Sequence, residues 1–105
     1  MGTSKRLAAH YDMRSQHQEI LRAAQAGQLQ SLSERELALR ENPVTIYPQP
    51  YRVVRAWVRF GPRAIRVDAK LARSTPYAVG IEFRAEEKVF RCWVWANAVE
   101  SAADA

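Results

Sequence analysis

A chain of 105 residues with 48% hydrophobic side chains has apolar surface for one modest core and too little for two independent domains. Its 16 lysines and arginines outnumber 11 aspartates and glutamates, and the net charge of +5 favours anionic partners. A single cysteine, Cys92, excludes an internal disulfide framework, so a reducing cytoplasm is the expected compartment.

The N-terminus develops no apolar run of signal-peptide length, because Leu7-Ala8-Ala9 is followed at once by His10, Tyr11 and Asp12. No stretch approaches the roughly 18 apolar residues of a membrane span, so no membrane is expected among the partners. From Ser4 to Ala26 there is neither proline nor glycine. Leu7, Tyr11, Gln18, Leu21 and Gln25 fall near one helical face, with Ile20 and Ala24 beside them, which predicts a helix over about residues 4–26 with Gly27 as its C-cap. Ser33-Glu34-Arg35-Glu36 has the pattern of a capping box and predicts a second, shorter helix over residues 33–41. That helix should end at Asn42-Pro43, since proline pushes the residue before it out of the α region. Residues 1–42 thus read as a helical segment, and Pro43, Pro48 and Pro50 make residues 43–50 a linker or an edge strand.

At Tyr51 the period of the pattern changes to two. Val54, Ala56, Val58 and Phe60 alternate with Arg55, Trp57 and Arg59; after the Gly61-Pro62 turn, Ile65, Val67, Ala69 and Leu71 alternate with Arg66, Asp68 and Lys70. Ser74-Thr75-Pro76 breaks this run. A third strand places Tyr77, Val79, Ile81 and Phe83 on one side, with Gly80 on the other marking strong bending or the close approach of another backbone. A fourth places Phe90, Cys92 and Val94 opposite Arg91, Trp93 and Trp95, and Asn97 to Glu100 reads as a helical turn before a frayed tail at 101–105. Residues 51–100 therefore form a meander too short to bury its apolar face without curling or packing on a helix. The expected class is α+β: a helical segment of one long and one short helix, then a four- to five-stranded curved antiparallel sheet or a small SH3-like or Sm-like barrel. The barrel is an analogy of element order and length.

Charge distribution carries the functional expectation. Between residues 51 and 73, Arg52, Arg55, Arg59, Arg63, Arg66, Lys70 and Arg73 face Asp68 alone, so this hairpin holds more positive charge than the whole chain's net. Guanidinium groups bind phosphate through forked donors and release counterions, and an indole between arginines offers a surface for a base to stack on. Arg91, Trp93 and Trp95 repeat the theme on the last strand, and closure of the sheet brings the two tryptophan faces together. The candidate nucleic-acid-binding residues are therefore Arg52, Arg55, Trp57, Arg59, Arg63, Arg66, Lys70, Arg91, Trp93 and Trp95.

Other readings of the same residues stand beside this one. Strand arginines are ordinary solvent-facing residues that pair with Asp68, Glu82, Glu86 or Glu87, and tryptophans pack under a helix or against a second subunit. The expected function is a non-enzymatic accessory module binding DNA or RNA, with a protein-interaction or homo-oligomeric adaptor as the alternative. His10 and His17 lie seven residues apart without further ligands nearby and read as solvated helix residues. Cys92 reads as a small buried hydrophobe. Glu34/Glu36 and Glu86/Glu87 sit at a helix start and a turn, where acidic residues serve the dipole and solubility. With four glycines and no phosphate-cradling loop, no catalytic residue, metal or cofactor is expected.

Overall fold

The structure, a computed structural model, describes residues 2–49 and 51–101, with side chains from Met13 onward. Helix α1 (Gly2–Ala26) occupies the proline-free stretch, and of its described side chains Ile20 and Ala23 are buried while Leu21 and Ala24 are partly covered. The burial stripe differs from the one the sequence implies, because Gln18 and Gln25 are exposed. Burying an amide without partners costs free energy, so the helix turns its adjacent Ile20–Ala23–Ala24 edge to the core instead. The side chains of Leu7, His10 and Tyr11 lie outside the described residues.

Helix α2 (Glu34–Leu37) starts on the expected capping box: the Ser33 hydroxyl accepts from the Glu36 N–H at 3.1 Å, and the Glu36 carboxylate accepts from the Ser33 N–H at 3.0 Å. It stops after one turn and does not run to residue 41. Ala38 adopts a left-handed φ of 47°, and the Asn42 side chain donates to the Leu37 carbonyl at 3.1 Å. The N–H groups of Glu41 and Asn42 both turn back to the Ala38 carbonyl, at 3.0 and 2.9 Å. Local bonds of this kind compete with helix propagation.

The rest of the described chain is one antiparallel sheet of six strands: β1 (Thr45–Ile46), β2 (Arg52–Phe60), β3 (Arg63–Ser74), β4 (Ala78–Ala85), β5 (Lys88–Trp95) and β6 (Val99–Ser101). The order is β5-β4-β3-β2-β6, and β1 pairs with β3 through Thr45–Ser74 and Ile46–Arg73, the edge role its prolines imply. The count exceeds the expected four or five because residues 97–100 do not form one helical turn. A 3₁₀ turn, Ala96–Ala98, leads into β6, where Val99 and Glu100 find partners on Ala56 and Arg55, and Ser101 pairs with Val54. Residues 102–105 of the expected frayed tail lie outside the described residues.

Alternation sends Val54, Ala56, Val58, Phe60, Ile65, Val67, Ala69, Ile81, Phe83, Cys92 and Val94 to a concave inner face that Ile20 and Ala23 close. Phe60 meets Phe83 and Phe90 edge-on, with ring centroids 6.3 and 5.4 Å apart, while Phe83 and Phe90 stack at 5.2 Å. Tyr77 is not part of this face and is 64% exposed. It sits in the turn before β4, where the Thr75 hydroxyl accepts from the Tyr77 and Ala78 N–H groups at 3.2 and 3.0 Å.

Strands β5 and β6 lie at opposite ends of the hydrogen-bonded order, yet three residues join them, so the sheet must curl until its edges approach. Part of the seam is closed by the segment after α1. Its Gln30 N–H donates to the Arg59 carbonyl at 2.8 Å, and the Gly61 N–H donates to the Gln28 carbonyl at 2.9 Å. On the other edge, the Leu32 N–H donates to the Trp93 carbonyl at 3.0 Å and the Ser31 hydroxyl accepts from the Trp93 N–H at 2.8 Å. Among the described residues, no helix is long and apolar enough to cross a membrane.

Candidate nucleic-acid interface

The convex outer face carries the side chains that alternation excludes from the core. On β2 these are Arg55, Trp57 and Arg59, and the register places Asp68, Arg66 and Ala64 of β3 directly opposite them. On β5 they are Arg91, Trp93 and Trp95. Curling of the sheet brings these two sets to the same seam, and Trp57, Trp93 and Trp95 line one open groove of about 390 Å³. Arg59, Glu36 and the segment Gln30-Ser31-Leu32 form its walls. Trp57 is 52% and Trp95 42% exposed, whereas Trp93 is half-buried. None of the three belongs to the core that α1 covers.

Gly80 explains the position of Trp93. The two residues are cross-strand partners, and a Cβ on Gly80 would touch both the Trp93 six-membered ring and the Arg73 Cβ at 3.4 Å. A side chain larger than alanine would therefore displace the indole. The expected close approach at Gly80 is that of a ring rather than a backbone. On the far side of Trp93 lies a second groove, also about 390 Å³, lined among others by Tyr51, Arg73, Glu82 and Arg91 beside the Gly80 strip. Trp93 and Ser31 line both grooves.

The cations divide into three groups. Arg55 pairs with Asp68 at 3.2 Å, Arg66 with Glu100, and Arg91 with Glu82 at 2.8 Å. Two of these acids are those expected from sequence; Glu100 reaches Arg66 because β6 lies beside β2. Arg52 and Arg63 share the strand parity of the buried residues and are exposed through their positions at the ends of β2 and β3, so they do not stand beside Trp57. Among the described residues Arg59, Lys70 and Arg73 form no ion pair: Arg59 donates to the Pro62 carbonyl at 3.1 Å, and Lys70 stands opposite Glu82, which Arg91 holds. Arg73 and Tyr51 are contributors that the alternation pattern underplays. The bulge between Leu71 and Arg73 shifts the parity of β3 and turns Arg73 to the outer side.

No known protein family, curated protein or solved structure matches the chain. The face combines open indoles, two grooves sharing one ring and, among the described residues, four cations without an ion pair, Arg59, Lys70, Arg73 and Arg84. Among the described residues, no group of three histidine, cysteine or acidic side chains could hold a metal ion.

Two further titratable groups have structural places. His17 is half-buried, and its Nδ1 accepts from the Glu86 N–H at 3.1 Å, which pins the β4–β5 turn where Glu86 takes a left-handed φ of 55°. Cys92 is buried, and desolvation pushes its thiol from an ordinary value of 9.0 up to about 12. A thiol held neutral in this way is inert, so Ellman's reagent at pH 8 should modify Cys92 only after denaturation. Between pH 9 and 12 the unfolded thiol ionises while the folded one keeps its proton, so stability falls as pH rises through that window. Urea midpoints measured at pH 8 and pH 10.5 should show a steeper loss for the native chain than for Cys92→Val; equal losses would mean that the thiol does not drive it.

Proposed function

We propose that the protein is a non-enzymatic nucleic-acid-binding module, acting in a reducing cytoplasmic setting, whose convex face takes the sugar-phosphate backbone on its cations and bases on its indoles. The observation that carries this reading is the convergence of Trp57, Trp93 and Trp95 on one open groove walled by Arg59. Lys70 and Arg73, on the same outer face, extend the positive surface beyond it. Arg55 and Arg66 have a smaller part, because Asp68 and Glu100 already offset their charge. Exposed ion pairs of this kind are worth about 0–1 kcal/mol, so they add little to the fold while weakening the field that a phosphate meets.

Fluorescence anisotropy of labelled DNA and RNA oligonucleotides across a salt series tests the proposal. With three cations engaged, log Kd should change with log salt by a slope of magnitude about 2, and Arg59→Ala with Lys70→Ala should remove more than half of it. Glu100→Gln frees Arg66 and should tighten binding severalfold. Trp57→Ala should weaken binding by about 1–3 kcal/mol. Absence of binding at low salt by a folded protein would overturn the reading. A discrete oligomer on light scattering, unchanged by salt and with blue-shifted tryptophan emission, would put a self-associating adaptor in its place.

A further inference from the structure

The proposed occupant has a strandedness that the two grooves address. Trp93 and Trp95 are two residues apart on one strand face, which separates their side-chain origins by about 6.7 Å. Stacked bases in a duplex follow one another at about 3.4 Å, half that distance, and their faces are covered by their neighbours. Indoles at this pitch can each receive a base only from a strand whose bases are unstacked and free of a complement. Nor does the face present a helix or ribbon that would enter a major groove: its aromatic groups sit within grooves of the protein.

Both grooves share Trp93. The first leads from Trp57 and Trp95 to the Ser31–Trp93 divide; the second continues from that divide to Tyr51, Arg73 and Arg91. Arg59 marks one end of this path and Arg73 the other, and among the described residues neither has a carboxylate partner. Of the two acids that line the grooves, Glu36 in the first accepts from the Ser33 N–H at 3.0 Å and Glu82 in the second is held by Arg91 at 2.8 Å. Cation, aromatic groove, aromatic groove and cation thus succeed one another in the order that a phosphate backbone with splayed bases requires. We propose that the protein binds single-stranded nucleic acid along a path that crosses Trp93, from the groove of Trp57 and Trp95 into the groove of Tyr51 and Arg73. This rests on the nucleic-acid reading above and adds strandedness and route to it.

The test uses labelled oligothymidylate and oligouridylate of three and twelve residues, and the twelve-residue strands annealed to complementary oligoadenylate. The single twelve-residue strand should bind at least about tenfold more tightly than its duplex, since an unstacked base on an indole contributes roughly five- to 150-fold. Arg73→Ala, at an exposed position, should weaken the twelve-residue strand by about fivefold or more and the three-residue strand, too short to occupy both grooves at once, by less. Trp57→Ala should weaken both. Duplex binding as tight as single-strand binding, or Arg73→Ala without effect on the longer strand, would overturn the route and leave nucleic-acid binding standing. Failure of every oligonucleotide to bind the folded chain would remove the parent reading and this inference with it.

Discussion

Replacing Phe60 with alanine is expected to lower the stability of the protein by about 3–5 kcal/mol, the usual cost of deleting a buried aromatic ring. Phe60 is among the largest fully buried side chains, and its ring meets both Phe83 and Phe90 edge-on, so three of the core's strands meet around it. Its backbone adds to this role: Leu29 forms a bridge to Phe60, and the neighbouring Gln30–Arg59 and Gly61–Gln28 hydrogen bonds tie the seam segment to the end of β2. A cavity at this point weakens the aromatic cluster and the seam together. Small domains are stable by about 5–15 kcal/mol, so the substitution removes about a fifth of the total or more. Urea unfolding should show the midpoint falling accordingly, and Phe60→Leu, which keeps most of the volume, should lose clearly less. A loss under about 1 kcal/mol for alanine would mean that the core collapses around the gap.

The strands were legible because alternation is a short-range property: Val54, Ala56, Val58 and Phe60 face inward as their spacing implies, and Arg55, Trp57 and Arg59 face outward. The capping box was legible for the same reason, since Ser33 and Glu36 satisfy one another within one turn. What stayed hidden depends on contacts between distant residues. Gln28 to Leu32 has no strand period, yet it forms a wall of the tryptophan groove because the curled sheet leaves two edges for it to bond. Glu100 reads as a turn residue until β6 pairs with β2 and lays it beside Arg66. Arg52 and Arg63 count toward the charge of the hairpin in sequence, but strand parity places them off the aromatic face. Residue composition identified a basic, tryptophan-bearing sheet; pairing and curvature decided which of its charges stand free.

Gly27→Val gives the second large effect, and its cause is backbone contact. Gly27 follows α1 as expected, but its φ is not left-handed, so conformational freedom at a C-cap is not what requires glycine there. The requirement is space: a Cβ on Gly27 would lie 2.6 Å from the Gly61 Cα and 2.9 Å from the Gly61 N. Gly61 cannot retreat easily, because it holds a φ of 55° in the two-residue turn between β2 and β3 and donates to the Gln28 carbonyl. The helix end must therefore move off the hairpin, which strains or breaks the Gly61–Gln28 and Gln30–Arg59 bonds. Overpacking costs about 1–3 kcal/mol and each lost hydrogen bond about 1 kcal/mol, so a total near 3–4 kcal/mol is expected in urea unfolding. The same displacement draws Gln30 and Ser31 away from the groove they wall. Under conditions where Gly27→Val remains folded, it should also weaken oligonucleotide binding, although residue 27 lines neither groove. Lower stability with undiminished affinity would show that the seam segment holds the fold without shaping the tryptophan groove.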